Sequence, residues 1–240
     1  MKKVFFTLLV ACIATCLWAK EMPKSGLGVQ IGWAQPILRL NDAVLLPKDS
    51  LMNVTKLNGF KVGVVYDASF IKGFGSSVGI NYTLAGNSGT WLKTGILGEY
   101  PRSRTSTLYQ ELELFVDWQY KFEVAKETYL ILYTGPSLQC GLDYTKKTVL
   151  QAQLITGDVL TTSTTDNKYT TSSSDELLTR LNVTWGVGAG FQYKQYFLRG
   201  GYDFGLLNPY KEKQFSGSDR YTRGRLDQWS IKIGMYLWYR

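Results

Sequence analysis

From residue 26 onward the chain alternates apolar and polar side chains with a period of two, in blocks separated by polar stretches. That period is the repeat of an extended strand, whose successive side chains point to opposite faces. Eight blocks are legible. Over 26–34, Leu27, Val29, Ile31 and Trp33 oppose Gly28, Gln30 and Gly32; over 58–68, Phe60, Val62, Val64 and Tyr66 oppose Lys61, Gly63 and Asp67. Over 76–84, Val78, Ile80, Tyr82 and Leu84 oppose Gly79, Asn81 and Thr83; over 107–120, Leu112, Leu114, Val116, Trp118 and Tyr120 oppose Glu111, Glu113 and Asp117. The block at 129–144 carries Leu130, Leu132, Leu138, Cys140 and Leu142 on its apolar face, and Pro136 within it predicts a bulge or kink. Over 181–193, Val183, Trp185, Val187, Ala189 and Phe191 oppose Thr184, Gly186, Gly188 and Gly190; over 196–206, Tyr196, Leu198, Tyr202, Phe204 and Leu206 oppose Arg199 and Asp203. In the last block, 226–239, Trp229, Ile231, Ile233, Met235, Leu237 and Tyr239 oppose Gln228, Ser230, Lys232 and Gly234.

The links between blocks alternate in length. Those at 69–75, 121–128 and 194–195 are short, and those at 35–57, 85–106, 145–180 and 207–225 are long. An eight-stranded antiparallel up-and-down transmembrane β-barrel predicts this rhythm, with short turns at one end and long external loops at the other. An even strand count closes the sheet and removes its edges. Apolar faces then meet lipid, and Trp33, Trp118, Tyr120, Tyr196, Trp229 and Tyr239 belong to interfacial girdles. The opposite faces bring Lys61, Glu111, Glu113, Asp117, Arg199, Asp203 and Lys232 into a narrow lumen, where a polar network is expected in place of a pore. Paired carboxylates such as Glu111 and Glu113 also serve acid–base chemistry, but strand alternation alone places them together. The stretch 161–174, nearly all Thr and Ser, has little to bury and reads as a mobile loop tip.

The first residues set the compartment. Lys2 and Lys3 precede an apolar run, residues 4–18, and Ala19 stands before the charged Lys20 and Glu21. This is the layout of a secretory signal peptide over 1–19, leaving 20–240 as one barrel domain. The competing readings are an uncleaved anchor helix, short for a span, and a lipid anchor at Cys12. Of three cysteines, only Cys140 lies beyond that segment, which excludes an internal disulfide in the exported chain. The net charge of +8 falls to +6 without Lys2 and Lys3. A basic exported protein suits anionic lipid rather than nucleic acid. Lys211, Lys213, Arg220, Arg223 and Arg225, in the last long link, are candidates for lipopolysaccharide contact; a plainly solvated loop is the other reading.

Catalytic chemistry finds little support. The chain has no histidine, so Ser-His and Asp-His arrangements and His-based metal ligation are impossible. The glycines at 186, 188 and 190 lack phosphate-loop spacing and a following helix, and instead relieve crowding in a tight barrel. No cofactor is expected.

At the C-terminus, Lys232, Gly234, Leu237 and Tyr239 resemble the signal read by the outer-membrane assembly machinery; Arg240 after the aromatic departs from it. Three stretches resemble the outer-membrane β-barrel family widespread in Bacteroidetes and often called PorT-like: Tyr109 to Leu114 with Tyr129 to Gly141 after it, Trp185 to Phe191, and Gly201 to Asn208. The resemblance implies an eight-stranded fold integral to the cell outer membrane and no settled activity. The readings carried forward are a structural or interaction protein of the cell surface, a component of a secretion or export assembly with an envelope protein partner, a small-solute channel, and a soluble periplasmic ligand-binding β-barrel.

Overall fold

The computed structural model describes residues 25–41, 54–71, 73–93, 101–154, 156–167, 169, 178–209 and 223–239. The expected signal peptide and Lys211, Lys213 and Arg220 lie outside them, and the side chain of Arg223 is likewise not described. Among the described residues every regular element is a strand: β1 (Gly26–Asn41), β2 (Val54–Lys56), β3 (Asn58–Ile71), β4 (Phe74–Ser88), β5 (Leu92–Lys93), β6 (Arg102–Ala125), β7 (Thr128–Gln153), β8 (Val159–Asn167), β9 (Leu181–Tyr193), β10 (Tyr196–Gly205) and β11 (Arg223–Tyr239).

Eight of these close into a ring. The order β6-β4-β3-β1-β11-β10-β9-β7 is completed by the β6–β7 pairing, and every pairing is antiparallel between strands consecutive in the ring. The fold is therefore an eight-stranded up-and-down β-barrel. The three remaining strands flank it: β2 pairs with β1, β5 with β6, and β8 with β7.

The wall is inside out relative to a soluble protein. Ile233 is 59% exposed and Leu237 64%, whereas Lys61 is 1% exposed and Asp67 fully buried. A soluble barrel hides the first pair and solvates the second. Here lipid is the solvent for the apolar stripe, and the closed ring pairs the backbone groups that hydrocarbon leaves unsatisfied. Near the short-turn end the outward face carries Phe70, Phe74, Tyr193, Tyr196 and Trp238, which is where an interfacial aromatic belt belongs.

Several sequence expectations are corrected. β6 and β7 run well beyond 107–120 and 129–144, and with β8 they form a hairpin standing past the wall. Residues 161–167, expected as part of a mobile tip, belong to β8: threonine is β-branched and suits a strand whose neighbour is already in place. Lys121, assigned to a turn, lies in β6 and points inward. Pro136 causes no register shift. β7 continues through it paired to Trp185 of β9, while the ladder to β6 passes from Phe115–Ser137 to Trp118–Thr134 without a pair between. A proline lacks one ladder donor, and Gly135 beside it lets the backbone of Val116 and Asp117 approach where a Cβ would collide. The bulges of this seam lie elsewhere, at Gln110/Glu111 and Glu123/Ala125.

Tyr239 is also corrected. β1 pairs Leu27 with Trp238 but Gly28 with Tyr236, so Leu237 is an extra residue in β11. A one-residue bulge reverses the facing of everything beyond it. Trp238 thus faces outward, and Tyr239 turns inward to stack on Tyr236 at 5.3 Å with 13° between the rings.

Candidate functional site

The lumen is filled in layers, which can be followed along β3 and β6 from the short-turn end. The first layer centres on Asp67. Its Oδ2 accepts from Lys121 Nζ (2.9 Å), from Arg199 Nη2 (2.7 Å) and from the Tyr236 hydroxyl. Lys121 also donates to Gln192 Oε1 (3.0 Å), and Arg199 Nη1 to Ser77 Oγ (2.9 Å). These groups come from β3, β4, β6, β9, β10 and β11: the carboxylate joins four strands directly, and its two cations extend the network to six. Around it Val65, Phe115, Phe197 and Tyr236 form an apolar cluster.

Six residues further along β3, the second layer centres on Lys61. Its Nζ donates to Glu113 Oε2 (2.8 Å) and to Gln228 Oε1. Asn81 Nδ2 also donates to Glu113 Oε2 (2.7 Å), and Gln30 Nε2 donates to Asn81 Oδ1 (2.6 Å). Glu111 accepts from Gln228 Nε2 (3.1 Å) and from the Tyr109 hydroxyl (2.5 Å). The expected lumenal residues Lys61, Glu111, Glu113 and Arg199 are thus held in two hydrogen-bonded layers. Asp117, Asp203 and Lys232 face the same lumen but join no direct ion pair among the described residues; Lys232 Nζ lies 5.2 Å from the centroid of the Phe115 ring. Asp67, Lys121, Gln228 and Tyr236 are participants that the sequence reading did not single out, although each lies on an inward alternation already visible.

Small inward residues match large ones. A Cβ at Gly188 or Gly201 would overlap the Tyr133 ring end, one at Gly234 the Phe197 ring, and one at Gly186 the Asp203 carboxylate. The expected relief of crowding by the 186–190 glycines therefore has identified occupants for two of its members.

At the loop end, Leu57, Ala85, Tyr109, Tyr144 and Leu178 form a second apolar cluster, with Tyr169 and Leu226 against it. Tyr169 packs edge-on to Tyr144 (6.4 Å, 78°) and lies under the Arg180 guanidinium at 5.1 Å. Burial and the neighbouring Glu111 carboxylate raise the pKa of its hydroxyl.

The outer wall carries one further polar cluster. Arg39 of β1 and Arg225 of β11 are cross-strand partners. Both donate from Nε to Oδ2 of Asp227, at 3.1 and 3.0 Å. Asp227 is fully buried and also accepts from the Tyr202 hydroxyl (2.7 Å) and the Gly205 N–H (3.0 Å). Of the residues expected to meet lipopolysaccharide, only Arg225 has a described side chain, and it belongs to this cluster. Arg39 was hidden because the alternation of the first block fades at Ala34, so the sequence placed 35–57 in a loop.

In the C-terminal motif, Lys232 faces the lumen, Gly234 admits Phe197, Leu237 is the bulged residue, and Tyr239 accepts from Gln192 Nε2 at 2.7 Å.

No family model and no curated protein matches the chain. Among solved structures it is similar to Ail, the attachment invasion locus protein of Yersinia pestis, in complex with the heparin analogue sucrose octasulfate (TM-score 0.38, 13% identity, covering 89% of this chain and 99% of that one). It is similar also to Neisserial surface protein A (0.37, 14%, 89% and 99%) and to the N-terminal β-barrel domain of Pseudomonas aeruginosa OprF (0.27, 9%, 90% and 100%). The eight-stranded ring stands on the pairing of this chain's own strands.

Proposed function

We propose that this chain is an integral β-barrel of the cell outer membrane with a structural or interaction role at the cell surface and no catalysis. The supporting observation is the eversion of the wall: exposed Leu, Ile, Val and Trp on every outward row, against buried Lys, Arg, Asp and Glu on inward rows. A soluble ligand-binding barrel needs the reverse. A solute channel needs open lumen, whereas two layers of cross-lumen hydrogen bonds and an apolar cluster at the mouth occupy this one. Its partners in this reading are outer-membrane lipids with lipopolysaccharide, and the assembly machinery that inserts the β11 end.

The PorT-like affiliation belongs to the same proposal, with a role in a secretion or export assembly as the second reading. The hairpin of β6, β7 and β8 favours it, since it stands beyond the wall and offers surface to an envelope protein partner. Two experiments separate the readings. Refolding into lipid vesicles is expected to give a barrel that resists added protease and migrates differently in gels with and without boiling; a detergent-free monomer overturns the membrane reading. Crosslinking in native membranes, with and without residues 146–166, tests the partner: a hairpin-dependent adduct supports the assembly role.

A further inference from the structure

We propose that Arg39 and Arg225 form a binding site for the phosphate groups of outer-leaflet lipid, with Asp227 as the buried strut that aims them. The proposal rests on the membrane reading above and adds the ligand chemistry and the residues.

The charge arrangement is unbalanced. Two arginines stand directly opposite each other across the β1–β11 seam, where like charges destabilise a strand pair. Asp227 is the one carboxylate that pairs with either of them among the described residues, so the cluster retains a net positive charge. An anion relieves that repulsion. The geometry is prepared for one. Both arginines spend Nε on Asp227, and their side chains remain 42% and 43% exposed. Arg39 also meets the Tyr202 hydroxyl, and the part-exposed guanidinium heads are planar forks, the shape that accepts two phosphate oxygens at once. Asp227 itself is fixed by Tyr202 and the Gly205 N–H, so the guanidinium heads are oriented before any ligand arrives.

Position selects lipid over a soluble anion. The cluster shares its outward rows with Trp33 on β1 and with Trp229, Ile231 and Ile233 on β11, all exposed. Arg225 precedes Trp229 by four residues, toward the loop end of β11. At ~3.3 Å per residue and a strand tilt of ~40°, it stands roughly 10 Å beyond that tryptophan. Head groups add about 5–7 Å to each side of the hydrocarbon core, and a long arginine side chain reaches back toward them. The site faces sideways from the wall, where head groups lie, and not upward from the mouth.

The test reconstitutes the full chain in phosphatidylcholine nanodiscs containing either lipid A or its dephosphorylated form, and measures lipid retained per barrel after a detergent wash. The wild-type chain is expected to retain phosphorylated lipid A about tenfold better, as two charge-assisted contacts allow. Arg39→Gln with Arg225→Gln is expected to abolish that preference, Arg225→Gln alone to reduce it while leaving Asp227 paired to Arg39, and the double lysine variant to keep part of it. Arg104→Gln on the far side of the barrel is expected to leave it unchanged. Equal retention of the two lipids by an inserted wild-type barrel overturns the site and leaves the membrane reading intact. So does undiminished preference in both glutamine variants, or complete displacement of lipid A by millimolar inorganic phosphate. A chain that never inserts overturns both.

Discussion

Asp67 is the residue on which the barrel's interior depends most. It has no solvent to fall back on, and two cations depend on it: Lys121 at 2.9 Å and Arg199 at 2.7 Å, both almost wholly buried. Buried ion pairs contribute little net stability against an apolar replacement, but removing one member leaves the others uncompensated. Asp67→Asn is therefore expected to destabilise the folded barrel by about 3–5 kcal/mol, read as a lower urea midpoint in vesicles. Asp67→Asn combined with Lys121→Met removes one stranded cation and is expected to recover part of that loss. If the single variant unfolds at the wild-type midpoint, the Asp67 layer is not a structural tie. The inward facing of these two residues follows from alternation: Asp67 is two strand repeats from Gly63, and Lys121, one residue past the block read at 107–120, is two from Asp117. What alternation does not reveal is which inward charges meet. That depends on the stagger between strands far apart in sequence, such as Asp67 with Arg199, and stagger is fixed only when the ring closes.

At the scale of elements, the short turns show how local chemistry sets the hairpins. Glu127 adopts φ 56° between β6 and β7, and Gly73 adopts φ 89° between β3 and β4. A side chain in the left-handed region costs about 1–2 kcal/mol, which Gly73 avoids and Glu127 bears. Glu127→Gly is accordingly expected to raise stability by up to about 1 kcal/mol. Gly73→Ala is expected to lower it by more than about 1 kcal/mol, since its Cβ would also stand 2.5 Å from the Lys121 carbonyl oxygen. Equilibrium unfolding of the pair checks both signs, and a shared sign contradicts the turn assignment. Strand number, facing and the long-short rhythm of links were all legible, because lipid on one side and a charged lumen on the other enforce a clean period of two. The misreadings cluster where that pressure ends. Beyond the wall, β7 and β8 pair with neither a lipid face nor a lumen to imprint a pattern, so Thr161 to Asn167 looked like a loop. At the last turn of β11, the extra Leu237 breaks parity without any residue type to announce it. The Arg39–Arg225 cluster needed the same missing information: Asp227 shares the parity of Trp229, yet only the extension of β1 to Asn41 brings Arg39 to it.

For the whole molecule, the consequence of filling the lumen in separate layers is that no single layer acts as a gate. The mouth cluster of Leu57, Tyr109, Tyr144 and Leu178 is apolar and drawn in part from residues outside the ring strands, so it is the layer most easily opened. Below it, the Lys61–Glu113 layer and the Asp67–Arg199 layer are tied to the wall by hydrogen bonds from several strands each. Opening a path through them means moving strands rather than side chains. In planar bilayers the wild-type chain is accordingly expected to show no steady conductance. The combined variant Tyr144→Ala with Leu178→Ala, which removes two of the large side chains of the mouth cluster, is expected to remain closed as well. It should instead let a water-soluble thiol reagent reach a cysteine introduced at Ala85 from the loop side faster than in the wild-type background. A steady open level in the mouth variant would mean that the two polar layers do not span the lumen, and would restore the channel reading. A closed bilayer record together with faster labelling at position 85 locates the seal in the charged layers beneath.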